Sequence, residues 1–123
     1  MPTILTPSRL LLTIAEPTRI RLVNCLAAAP LFVSDLQAVL ELPQPTVSRH
    51  LTVLRQAGIV RDTPVGPYVL YRLQRDDPTV RVLLDATLDA LAREDPMKAE
   101  RRRALDRHRS HTRFQIPEGA RPA

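Results

Sequence analysis

Between Pro17 and Pro30 apolar side chains recur at helical spacing. Ile20, Val23, Leu26 and Ala27 share a side, Pro17 stands at the first helical position where its missing N–H costs nothing, and Pro30 stops the run. A shorter apolar segment before it predicts a first helix from about Ser8 to Ala15, with an earlier start allowed. A third helix starts near Ser34, whose hydroxyl is placed to cap it, and buries Leu36, Val39 and Leu40. Leu42-Pro43 makes a turn. The fourth helix runs from about Gln44 or Pro45 to Ala57, and Gly58 ends it where a left-handed residue is tolerated. Its inward line is Val47, Leu51 and Leu54. Arg49, Thr52, Val53 and Gln56 then point outward, with Ser48 on one flank and Thr46 and His50 on the other. Two β-branched and aromatic runs, Ile59 to Thr63 and Tyr68 to Leu73, flank Pro64-Val65-Gly66-Pro67 as a hairpin. After Asp76-Asp77-Pro78 a long helix to about Glu94 carries the stripe Val80, Leu83, Leu84, Thr87, Leu88 and Leu91. Pro96 interrupts it. A further helix over about Met97 to His108 is nearly polar all round, so its stability is doubtful, and disorder is expected beyond Phe114.

Three helices, a fourth that must pack inward and present small hydrogen-bonding groups outward, a hairpin and a final amphipathic helix make a winged helix-turn-helix. The fold class is mainly α with a small β-hairpin wing. Residues 1–95 form the DNA-binding and dimerisation domain, and residues 96–123 a basic C-terminal extension, part helical and then disordered. The stripe on the last helix of so small a domain has little core left to cover, which favours a partner's copy over folding back on its own core.

Composition narrows the setting. With two Tyr, two Phe and no Trp, Leu, Val and Ile supply most of the core. Arg9 breaks the apolar start of the chain, so no signal peptide is read there. The longest uncharged run, Leu22 to Ser34, is too short to span a bilayer. A single cysteine makes no intrachain disulfide. The expectation is a cytoplasmic protein with no membrane partner. The net charge of +5 sits entirely in residues 97–123, which carry 8 basic and 3 acidic side chains, while residues 1–96 balance 10 against 10. Such a tail is either a solvated end or an arm adding non-specific attraction to phosphates.

Several ordered motifs carry a resemblance. Glu16-Pro17-Thr18-Arg19-Ile20-Arg21-Leu22, Gln44-Pro45-Thr46-Val47-Ser48-Arg49-His50-Leu51, Leu54-Arg55-Gln56-Ala57-Gly58-Ile59-Val60 and Tyr71-Arg72-Leu73 together resemble the ArsR (arsenic-resistance repressor) family over about residues 8–92. The resemblance implies a homodimeric bacterial repressor joined through its first and last helices and released from DNA by a bound effector, usually a metal or metalloid ion. Its DNA would be an imperfect inverted repeat, with half-sites about one turn, roughly 34 Å, apart.

For DNA contact the residues are Gln44, Thr46, Ser48, Arg49 and His50, with Arg61 and Arg72 on the wing strands. Arg49 suits guanine O6 and N7 or, equally, a phosphate. His50 has the competing reading of a structural hydrogen bond to backbone. Two departures from the family stand out. Pro43 replaces the usual capping Ser, and Pro67 replaces a basic wing-tip residue, leaving Pro64 to Pro67 uncharged. The Arg-rich tail then compensates for the wing, in which case deleting residues 97–123 lowers affinity and its salt dependence.

The family's thiolate site is not retained. In Phe32-Val33-Ser34-Asp35-Leu36, Phe32 and Ser34 stand where thiolates would be, and one cysteine per chain cannot build a three-thiol arsenite site. The last helix carries Asp85 and Asp89 but no His, and Arg81, Asp85, Asp89 and Arg93 read as a solvated ladder. His108 and His111 have chelating spacing but lie among arginines, so no metal is assigned and they are the weakest candidates. Cys25 reads as a small buried hydrophobe, with a redox switch as its alternative. No cofactor is implied and the effector is unknown. No phosphate loop, metal triad or activated nucleophile supports an enzyme, and Asp76-Asp77 reads as a capping turn. The competing function is a winged-helix protein-interaction module with weak or no specific DNA binding, favoured by the uncharged wing and near-neutral body.

Overall fold

The structure, a computed structural model, describes residues 6–113, so the disorder expected beyond Phe114 concerns residues outside those described. The order is α1 (Pro7–Ile14), α2 (Pro17–Ala28), β1 (Leu31–Phe32), α3 (Val33–Leu40), α4 (Gln44–Gln56), β2 (Val60–Val65), β3 (Tyr68–Leu73), α5 (Pro78–Leu91) and α6 (Asp95–Arg113). Local chemistry accounts for the boundaries. Thr6 caps α1, Glu16 caps α2 and Asp77 caps α5, each accepting from a backbone N–H one turn in, and Pro occupies the first turn of all three helices. Gly58 follows α4 with φ +80°, the left-handed conformation its position requires. Glu41 adopts φ 56° at the end of α3 and turns the chain toward α4.

The cap of α3 differs from the sequence reading. Ser34 is exposed, and Asp35 instead accepts from the Phe32 N–H at 2.9 Å, closing the helix start from inside the protein. The hairpin also has a third strand. Leu31 pairs with Tyr71 and Phe32 with Leu70, giving the antiparallel order β1-β3-β2. Two residues are too few for a strand periodicity to show in sequence.

The core gathers Leu10, Leu22, Leu36, Val47, Leu51, Leu54, Ile59 and Leu84, all without exposed surface. The inward line of α4 is as its spacing requires. Among the described residues Asp85 pairs with Arg75 at 3.8 Å, so the expected ladder along α5 is replaced by a tie to the β3–α5 connection.

Helix α6 is longer and better anchored than its polar pattern suggests. It runs 19 residues, with Pro96 in its first turn rather than breaking a helix, and packs against α2 and α3. Ala104 is fully buried and Met97 packs on the core, and polar pairs add to the fastening. Glu100 receives Arg21 Nε at 2.9 Å, the buried Asn24 amide donates to the Met97 carbonyl at 2.9 Å, and Arg101 donates to Asn24 Oδ1 at 2.8 Å. Arg107 and His111 both reach Asp35. Among the described residues no buried side-chain nitrogen or oxygen lacks a partner. Arg101 and Arg107 of the basic tail are thus engaged with the body of the protein.

Candidate nucleic-acid interface

Helices α3 and α4, joined through Glu41 to Pro43, form the helix-turn-helix. Pro43 offers α4 no side-chain cap; its carbonyl instead accepts from Thr46 N at 3.1 Å and Val47 N at 3.2 Å. Pro45, in the first turn, removes one amide that would otherwise need a partner. The missing capping Ser is therefore compensated by the backbone.

On the outer face of α4, Arg49 is exposed and has no partner among the described residues. Gln44 is exposed and donates Nε2 to Ser48 Oγ at 2.6 Å, which pre-orders both side chains on one ridge. Thr46 is half-buried on the other flank. Arg61 and Arg72 stand directly opposite one another across β2 and β3. Like charges so placed repel, and Asp76 relieves Arg61 at 3.0 Å while Asp62 of β2 pairs with Arg55 of α4 at 3.4 Å, leaving Arg72 as the strand arginine without a partner among the described residues. Arg49 thus stands on the outer face, Gln44 and Ser48 are tied together on one flank, and the wing arginines sit together.

His50 is placed differently. Its side chain is only 12% exposed and turns toward the start of α2, where Nδ1 lies 3.4 Å from Arg19 Nη1 and 3.7 Å from Glu16 Oε2. The bond expected to backbone is instead a contact with two side chains. Glu16 and Arg19 were legible as a motif, but nothing in their spacing pointed to His50.

The low-ranked candidates are engaged elsewhere. His108 Nδ1 lies 3.1 Å from the Pro30 carbonyl, and His111 meets Asp35 while its ring packs edge-on to Phe32 at 5.5 Å. Both rings hold α6 to the body. Among the described residues no group of three or more His, Cys, Asp or Glu is arranged to hold a metal ion. Cys25 has no exposed surface, and burial pushes its thiol up to about 12, so the site gives neither the access nor the thiolate a redox switch needs. With Phe32 and Ser34 at the start of α3, these residues do not fit a thiolate-bound metalloid.

A helix-turn-helix with an unpartnered arginine on its outer helix and two arginines facing one another on the hairpin strands defines a winged-helix DNA-binding regulator. Residues 16–62 match the profile of the bacterial regulatory proteins of the arsR family. The chain is 41% identical over 92 residues to the arsenic resistance transcriptional regulator ArsR1 of Pseudomonas putida, covering 73% of this chain and 72% of that protein. It is 39% identical over 89 residues to the HTH-type transcriptional regulator Rv2034 of Mycobacterium tuberculosis, covering 72% and 80%. The crystal structure of the transcriptional repressor BigR from Xylella fastidiosa superposes with a TM-score of 0.63 at 30% identity, over 72% of this chain and 85% of that one. The chain belongs to the ArsR family and is a DNA-binding transcriptional repressor.

Proposed function

We propose that the protein represses transcription as a cytoplasmic homodimer on an inverted-repeat operator, with α1 and α5 at the dimer interface. The observation that carries this reading is the apolar face these helices leave uncovered. Leu12 is 74% exposed, Val82 65% and Leu11 47%, and an open groove of about 350 Å³ lined by Pro7, Pro78, Thr79, Val82 and Leu83 runs between the two helices. Large exposed aliphatics on two helices that touch one another, with Val82 lining the groove between them, mark an interaction surface. A two-fold axis there would pair α1 and α5 with their copies and set two α4 helices on successive major grooves. Arg49, Gln44 and Ser48 would then meet base edges or phosphates, and Arg61 and Arg72 the flanking backbone. Among the described residues no helix is long and apolar enough to cross a membrane.

The input that lifts repression is read as something other than a thiolate-bound metalloid, since the chain has no thiols at the start of α3. Anisotropy of a labelled duplex from upstream of the protein's own gene, against a scrambled duplex at two salt concentrations, tests the reading. Preference for the native duplex with two protomers per site supports it. Equal, salt-collapsing binding to both duplexes overturns it in favour of a protein-docking module.

A further inference from the structure

Two motifs distant in sequence meet at one point. Arg19, from the first turn of α2, donates Nε to the Thr13 carbonyl at the end of α1 at 2.5 Å and directs Nη1 to His50 Nδ1 at 3.4 Å. Glu16 caps α2 through the Arg19 N–H at 2.9 Å and holds its carboxylate 3.7 Å from the same imidazole nitrogen. One guanidinium thus joins the last turn of α1 to the middle of α4. An arginine only donates, so a hydrogen bond between these two groups takes Nδ1 of His50 as its acceptor.

We infer that His50 is a positioning residue for DNA binding: through Arg19 it fixes the pose of the recognition helix relative to α1. This rests on the dimer reading above, in which α1 lies at the subunit interface. A dimer finds both half-sites only if each α4 keeps one orientation relative to the two-fold axis. Apolar packing of Val47, Leu51 and Leu54 holds α4 against the body but leaves small rotations and slides open. A directional, part-buried hydrogen bond on the flank removes that freedom. The side chain facing inward at 12% exposure explains why a histidine, which reaches sideways and accepts at a ring nitrogen, stands beside the outward Arg49.

The test compares wild type, H50L, H50N and R19M on an inverted-repeat duplex selected in vitro with the wild-type chain, and on versions with one to four base pairs inserted between half-sites. Asn places an acceptor oxygen where Nδ1 stood; Leu fills the space without one. Wild type should bind the parent spacing sharply. H50L and R19M should lose roughly tenfold on the parent and show a flattened spacing profile, while H50N keeps the profile within about threefold. Melting temperatures and sedimentation of each variant separate this from unfolding or loss of the dimer. If H50L does not fold, R19M and H50N still decide the matter. The inference is overturned if H50N behaves as H50L. It is equally overturned if R19M keeps the wild-type profile while H50L weakens every duplex, the pattern of a direct DNA contact. A wild-type dimer with a sharp profile alongside either result leaves the dimer reading standing. Wild-type indifference to spacing removes that reading and this inference with it.

Discussion

Arg107 donates its Nε hydrogen to Asp35 Oδ1 at 3.0 Å, on a carboxylate with no exposed surface. The other oxygen of Asp35 accepts the Phe32 N–H, so one side chain both caps α3 and receives α6. A buried carboxylate is tolerated only with such partners. The same carboxylate therefore stabilises the first helix of the helix-turn-helix and the docking of a helix with little apolar surface.

Substituting Asp35 should accordingly cost more than its Arg107 partner. D35A removes the cap and strands Arg107 and His111, a loss of about 3 kcal/mol in urea unfolding. R107M should cost about 2 kcal/mol, because it leaves the buried carboxylate one partner short while the Phe32 N–H and His111 still reach it. Equal losses in the two variants would show that Asp35 does not serve both elements.

Arg49 offers the opposite case, an exposed guanidinium without a partner among the described residues. R49M should leave the melting temperature within about a degree or two, as surface changes away from specific contacts do. Operator affinity should fall by about 1–3 kcal/mol if a base is read. Parallel titration of scrambled duplex separates the roles: a loss confined to the operator marks base readout, and an equal loss on both marks a phosphate contact. Unaltered binding to both would remove Arg49 from the interface.

Legibility in the sequence followed the physics of each element. The α2 to α4 segment and the hairpin could be read because apolar side chains alternate with the period of the structure, and Pro17 and Gly58 punctuate the helix ends. Helix α6 could be read as a helix over about Met97 to His108 but its docking could not, since its docking face is built from Glu100, Arg101, Arg107 and His111, residue types that ordinarily face water. By residue type Ser34 is the natural cap, yet the fold buries Asp35 one position later, and only tertiary structure supplies its cationic partners. The outward direction of Arg49 followed from helical phase, whereas the turn of His50 toward Arg19 depends on where α2 lies.

Cys25 gives a prediction in alkali. Burial raises its thiol from 9.0 to about 12, so between those values the folded chain keeps a proton that the unfolded chain has released. Fewer protons bound on unfolding means that stability falls as pH rises through this window, by at most about 1.4 kcal/mol per unit from this one group. The contribution should appear as the difference between wild type and C25A, since other groups titrate there as well. Native protein at pH 8 should also resist a thiol reagent that labels the urea-unfolded chain at once. Rapid labelling of the folded protein, or identical pH profiles for wild type and C25A, would place the thiol in contact with solvent.

The uncovered aliphatics on α1 and α5 make the dimer testable without disturbing either monomer core. Leu12 is 74% exposed and Val82 65%, so a charge at either position should leave circular dichroism and the melting transition of the isolated fold close to wild type. In a two-fold interface each substitution enters twice and brings like charges together in a place that excludes water. L12E or V82E should therefore sediment as a monomer at concentrations where wild type is a dimer. Each should also lose well over tenfold in operator affinity, because the second half-site no longer binds as part of the same particle. Tyr68 provides the control: it is 65% exposed but stands at the start of β3 on the wing, so Y68E should keep the wild-type mass. A dimeric L12E and V82E with a monomeric Y68E would move the interface from the helices to the wing.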